Sequence, residues 1–131
     1  MLSDPISDTL TRIRNAYGAN LKQVTFPYSK MAQAITDVLI DHKFAVEYQI
    51  DDTDEVKKKI VLELRYNNRL PSIKHIERIS RPGRRVYKSA QDIKAPLNGY
   101  GIAVISTSKG VLTNVDAKNK KVGGEIICHI W

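Results

Sequence analysis

The sequence predicts an α+β protein made of two small α/β domains, and three observations carry that prediction. Apolar residues recur at helical spacing in Ile6, Leu10, Ile13 and Tyr17, and again in Met31, Ile35, Val38 and Leu39. Further along the period falls to two, in Ile60, Leu62 and Leu64 and in Ile126, Cys128 and Ile130. Between these regions Asn67-Asn68-Arg69-Leu70-Pro71 breaks every pattern, which places a boundary there and domains over 1–68 and 69–131. The first domain reads helix–strand–helix–strand–strand. The second reads as mainly antiparallel β with one short helix.

Ser3-Asp4-Pro5 is a helix start, a capping side chain followed by proline at the first helical position, with Gly18 as the stop. Thr9, Thr11, Arg12, Arg14 and Asn15 take the other sides of this helix. Arg14 and Asn15 suit a phosphate and a base edge, and an ordinary solvated face accounts for them as well. Gln23 to Phe26 is a brief strand closed by Pro27, and Ser29 caps a second helix that runs to about Lys43, with Ala34 near its apolar stripe. Ser29-Lys30 puts a hydroxyl and a cation beside free N–H groups, an arrangement that suits an anion; capping alone explains Ser29 equally. Val46 to Asp51 and Lys59 to Tyr66 form a hairpin around Asp52-Thr53-Asp54-Glu55, with Val46, Tyr48 and Ile50 expected on its buried face. The acidic stretch 51–55 is a solvated turn that would repel a polyanion.

The second domain begins with a strand over Ile73 to Ser80, then Arg81-Pro82-Gly83-Arg84-Arg85-Val86-Tyr87-Lys88. Arg81, Arg84, Arg85, Lys88 and, further off, Lys74 surround the aromatic Tyr87. Guanidinium groups bind phosphate bidentately and an aromatic ring stacks on a base; a charged hairpin edge that prevents aggregation is the plainer reading. Asn98-Gly99-Tyr100-Gly101 introduces an apolar strand that ends in Ser106-Thr107-Ser108-Lys109-Gly110. Hydroxyl donors and acceptors at a rigid strand end suit a polar partner with an uneven surface, such as folded RNA. A polar turn between two strands fits the same residues. Thr113-Asn114 caps a short helix through Lys120, with Ala117 inward and Lys118, Lys120 and Lys121 giving positive charge. Gly123-Gly124 permits close backbone approach or simply a turn, and Glu125 to Trp131 is a final strand with Ile126, Cys128 and Ile130 on one face.

Composition narrows the function class. The chain has 131 residues, 42% of them hydrophobic, enough for a core, and a net charge of +7 that suits nucleic acid or an anionic membrane. No apolar run approaches the roughly 20 residues of a membrane span, and MLSDPISD lacks a basic-then-apolar leader, so the membrane reading falls behind. The single cysteine, Cys128, fits a reducing compartment and reads as core packing. His42, His75 and His129 are scattered, and with one cysteine no zinc pattern exists. Neither a phosphate loop nor a nucleophile elbow occurs. Nothing in the sequence supports catalysis, a metal or a cofactor.

Taken together, Asp4-Pro-Ile-Ser-Asp-Thr-Leu-Thr-Arg-Ile-Arg-Asn-Ala16, Ser29-Lys30, Arg81-Pro-Gly-Arg-Arg-Val-Tyr87, Gly101-Ile-Ala-Val-Ile-Ser-Thr-Ser-Lys-Gly110 and Gly123-Gly-Glu-Ile-Ile-Cys-His-Ile-Trp131 resemble bacterial-type small-subunit ribosomal protein eight over essentially the full length. The resemblance implies a two-domain α+β ribosomal component, cytoplasmic or organellar, that binds the central domain of small-subunit ribosomal RNA and helps it fold. It implies that Ser106, Thr107 and Ser108 read an exposed base in an irregular RNA helix, with Tyr87 and Gly123-Gly124-Glu125 nearby. It implies a second RNA contact through Asp4, Thr11, Arg14, Asn15, Ser29 and Lys30. Neighbouring small-subunit proteins, among them protein five, and in some members the protein's own operon messenger RNA complete the implied partners. Two departures stand out: Ala32 replaces a commonly basic residue, and Asn114-Val115-Asp116-Ala117-Lys118 replaces an acidic and arginine-bearing stretch. An RNA-processing enzyme and a non-ribosomal RNA-binding scaffold are the competing classes.

Overall fold

The structure, a computed structural model, describes residues 4–54 and 56–131. Ser3 of the expected first cap and Glu55 of the acidic turn lie outside these. The chain forms two compact units, Pro5–Lys74 and His75–Trp131, with Asp4 belonging to the second. The stretch expected as the boundary therefore lies within the first unit. It is a tight hairpin, β-bonded between Tyr66–Asn67 and Leu70–Pro71, whose two central residues Asn68 and Arg69 have φ of 52° and 68°. Such turns match the twist of paired strands, which is why a pattern break here continues the fold instead of ending it.

In the first unit α1 (Pro5–Gly18) opens on Pro5, where a missing N–H costs nothing, and buries Leu10, Ile13, Ala16 and Tyr17. Its reversal comes later than the expected stop. Gly18 is the last helical residue, and Asn20, at φ 56°, turns the chain while the N–H of Leu21 reaches the Ala16 carbonyl. The second helix, α2 (Lys30–Asp41), is capped by Ser29, whose Oγ accepts the Ala32 N–H at 3.0 Å. Ala32 and Thr36 are buried with Ile35, Val38 and Leu39, whereas Met31 is half-buried. The Thr36 hydroxyl satisfies itself on the Ala32 carbonyl at 2.8 Å, so burial leaves no orphan.

Three antiparallel strands, β1 (Gln23–Pro27), β2 (Ala45–Asp51) and β3 (Lys59–Leu64), lie in the order β1-β3-β2. Ile60, Leu62 and Leu64 of the central strand are buried as expected. The face expected on β2 is kept in part, since Tyr48 and Ile50 lie opposite the buried Leu62 and Ile60 and Tyr48 is half-buried, but its cover is incomplete. Val46 and Ile50 are 47% and 40% exposed, because β2 is an edge and its register slips between Ala45 and Glu47, a bulge that leaves Val46 unpaired. The Tyr17 hydroxyl donates to the Phe44 carbonyl and accepts the Arg65 N–H at 3.2 Å. Burial dominates over that amide and pushes the phenol up to about 12.

The second unit holds the short strands β6 (Ile76–Arg78) and β7 (Tyr87–Lys88), here following the Tyr66–Asn67 and Leu70–Pro71 pair as β4 and β5. It continues with β8 (Ile102–Thr107), β9 (Gly110–Thr113), α3 (Asn114–Asn119) and β10 (Gly124–Ile130). The main order is β6-β10-β8-β9. Because β8 runs along one edge of β10, β6 at Cys128–Ile130 and β7 at Gly124–Glu125 share the other. Ile93, Ala103, Ile105, Ala117 and Ile126 form a core on one side of this sheet. Thr113 caps α3 as expected, and the buried Asn114 accepts the Ala103 N–H at 3.0 Å, pinning the helix start to β8. Ile127, expected opposite Cys128, is also fully buried, since the register shifts between Ile126 and Cys128. No helix among the described residues is long and apolar enough to cross a membrane.

Candidate nucleic-acid interface

The strand register assembles the site. Tyr87 lies opposite Glu125, Glu125 opposite Ser106, and in the next row Lys88 lies opposite Gly124 and Gly124 opposite Thr107. Directly opposed residues project to the same side of a sheet. Tyr87, Glu125 and Ser106 thus stand side by side on three adjacent strands, with Tyr87 and Ser106 two strand spacings, roughly 10 Å, apart. Tyr87 is 67% exposed. The rows can close this tightly because both glycines lack a Cβ: one on Gly124 would sit 2.1 Å from the Ser106 carbonyl oxygen, and one on Gly123 2.4 Å from that of Lys88. Close backbone approach, one of the two readings of this pair, is therefore an intramolecular one.

Ser108 and Lys109 form the turn between β8 and β9, both exposed. The Thr107 hydroxyl donates to the Gly110 carbonyl at 2.7 Å and accepts the Lys109 N–H at 3.0 Å, and Gly110 takes φ 106°. Thr107 shapes the turn. The hydroxyls of Ser106 and Ser108 have no hydrogen-bond partner among the described residues, so they remain available to a ligand. The two readings of this segment coincide: it is a polar turn, and it presents unspent donors and acceptors.

On the opposite edge of β10 from that turn, Arg81 and Arg84 bracket the Pro82-Gly83 turn, exchange backbone bonds of 3.1 and 2.9 Å, and are exposed. Arg85 is different. Its Nη1 lies 2.9 Å from Glu125 Oε2, which also accepts a hydrogen bond from the hydroxyl of the buried Ser80. Burial works to raise the Glu125 pKa, but the bonds from Ser80 and Arg85 and the charges of Arg85 and Arg78 prevail and hold it below its ordinary value. Glu125 is thus an oriented anion beside Tyr87, and half of the Arg85 fork is spent on it. Sequence spacing did not reveal Ser80, which lies 45 residues from Glu125.

Of the residues expected to make a second contact, Asp4 belongs to this unit and pairs with Arg78 at 3.4 Å. Thr11, Arg14, Asn15, Ser29 and Lys30 belong to the first unit. Arg14 and Asn15 line a surface groove there together with Lys74, which completes its basic rim. The Ser29 hydroxyl is engaged as the α2 cap, and Lys30 is exposed at the same helix start. Among the described residues no group of three His, Cys, Asp or Glu could hold a metal ion.

The sequence profile of the family described as ribosomal protein S8 matches residues 4–131. A small ribosomal subunit protein uS8 from Mycoplasma mobile is 44% identical over 131 residues, covering 100% of this chain and 98% of its own. The uS8 protein of Mesorhizobium japonicum is 45% identical over 130 residues, covering 99% of this chain and 98% of its own. That of Legionella pneumophila is 46% identical over 129 residues, covering 98% of each.

Proposed function

The chain belongs to the ribosomal protein S8 family, a non-enzymatic structural component of the small ribosomal subunit, and from that premise we propose that it binds the central domain of small-subunit ribosomal RNA directly and holds it in its folded form. The observation that carries this reading is the row Tyr87, Glu125, Ser106 ending in an exposed hydroxyl turn. Arg81, Arg84, Lys88, Lys109 and the free side of Arg85 supply attraction to phosphates that is blind to sequence and weakened by salt. Ser106 and Ser108 supply discrimination, since a wrong base leaves a desolvated hydroxyl or amide unpaired at about 1–3 kcal/mol each. Thr107 and the pair Gly123-Gly124 keep the turn and strands in place. Glu125 offers acceptor oxygens to an amino or hydroxyl group, and Tyr87 a stacking face.

In the same reading, Thr11, Arg14, Asn15 and Lys30 of the first unit touch a second RNA helix, while Asp4 and Ser29 act by holding Arg78 and the start of α2. Neighbouring proteins of the subunit, protein five among them, and an operon messenger RNA that copies the ribosomal site extend the list of partners. The experiment is a filter-binding titration against a central-domain transcript and an unrelated duplex over a range of salt. Ser108→Ala should weaken the cognate RNA by about 1–3 kcal/mol and leave the unrelated duplex unchanged. Arg84→Ala should weaken both and flatten the salt slope by about 1. Equal loss on both RNAs for Ser108→Ala sinks the specific role.

A further inference from the structure

The final ladder row, Lys88, Gly124 and Thr107, marks one end of the second unit's sheet. Three loops leave from it: β8 runs into Ser108-Lys109, β7 into Ser89-Ala90-Gln91, and β10 is entered from Lys121-Val122-Gly123 after α3. These loops are therefore neighbours of the hydroxyl turn, although only that turn belongs to the base-reading row. Between the last two lies a surface groove lined by Ser89, Ala90, Gln91, Lys118 and Lys121. Its walls are held rather than loose. The missing Cβ of Gly123 would meet Lys88 O at 2.4 Å and the Ser89 Cα at 2.8 Å, so one wall's backbone is seated on the other.

We infer that this groove is a second phosphate-binding site, in which Lys118 and Lys121, with the Gln91 amide, grip the RNA strand as it continues past the base read at the hydroxyl turn. Lys118, Lys121, Ser89 and Gln91 are all exposed. The nearest carboxylate along the chain, Asp92, accepts the Ser89 hydroxyl at 3.1 Å and lines a different hollow with Lys88, Lys94 and His129. The groove itself contains two cations and no anion, which favours a phosphodiester over an acidic protein surface because the neutral Gln91 amide, a donor, completes the lining while the Ser89 hydroxyl is held by Asp92. Lys121 holds φ 56° at the exit of α3, where its N–H bonds the Lys118 carbonyl at 3.1 Å, just as Lys43 holds φ 61° at the exit of α2; glycine adopts this conformation without the steric penalty of a side chain, so replacing Lys121 by glycine removes the cation without straining the turn.

The inference rests on the reading of the hydroxyl turn, and the test separates the two. Full-length protein, Lys118→Gln/Lys121→Gln, Lys121→Gly and Ser108→Ala are titrated with a central-domain transcript and an unrelated duplex across salt. The double variant should bind both RNAs more weakly, with the salt slope reduced by roughly 1 per lysine. Lys121→Gly should melt at the same or a higher temperature while its RNA affinity falls, opposite signs that a merely structural lysine would not give. Wild-type affinity and slope in both variants overturn the groove, as does a loss confined to an acidic protein of the subunit with RNA binding unchanged. A wild-type chain that binds neither RNA overturns the hydroxyl-turn reading and the groove with it.

Discussion

Replacing Ser80 by alanine tests how the recognition row is held. Ser80 is fully buried; its hydroxyl donates a hydrogen bond to Glu125 and accepts one from the Val86 N–H at 3.2 Å. Alanine removes both bonds and leaves an amide and part of a carboxylate without partners, at a cost of about 1–3 kcal/mol in unfolding free energy, nearer the upper end because one partner is charged. The loss should depend on pH. In the folded protein Glu125 is held below its ordinary pKa in spite of burial, so its contribution is present above the unfolded value and disappears as pH falls through the folded one. Without the Ser80 hydroxyl that depression shrinks. The penalty of Ser80→Ala is then largest at neutral pH and narrows in acid below the ordinary glutamate range. Urea unfolding at neutral and acid pH measures it. A penalty of the same size at both would assign the whole effect to the Val86 amide and refute the role given to Glu125.

Gly124→Ala forces a Cβ to within 2.1 Å of the Ser106 carbonyl oxygen, so β8 and β10 must part; about 1–3 kcal/mol of stability should go, with cognate RNA affinity falling alongside. Unchanged urea midpoints would show that the strands accommodate the methyl. Cys128 is fully buried, and burial pushes its thiol up to about 12, so a thiol reagent at mildly alkaline pH should label it only as fast as the protein unfolds. Rapid labelling of the native chain would place the residue at the surface.

Local signals in the sequence were dependable where one residue decides one backbone event. Pro5, Ser29 and Thr113 each mark a helix start at the residue where the structure has it, because a fixed φ or a side-chain oxygen acts within a single turn. Alternation was dependable in β3, which has neighbours on both edges, and told less in β2, where a bulge takes Val46 out of register and the edge leaves Ile50 exposed although it lies opposite the buried Ile60. Asn20 and Asn68-Arg69 show the limit of glycine as a marker, since each adopts the left-handed region without it. The expected strand from Ile73 to Ser80 is shorter, Ile76–Arg78, although the Ser80 amide still bonds the Ile126 carbonyl at 3.0 Å. In the candidate site, composition gave the exposed cations and hydroxyls, but pairing between residues distant in the chain, as between Ser80 and Glu125, 45 residues apart, or between Tyr87 and its row, belongs to sheet register. Register is set by packing of the whole unit and leaves no mark at any one position.

The placement of β10, bonded on one edge by β8 and on the other by both β6 and β7, has a thermodynamic consequence for whatever meets the hydroxyl turn. Amide protons on this strand should be among the slowest of the unit to exchange with deuterium, since releasing them requires three strands to separate together. A tip fastened to so cooperative a frame keeps its shape before any ligand arrives. Little conformational entropy remains to be surrendered on encounter, and more of each contact's free energy survives as affinity.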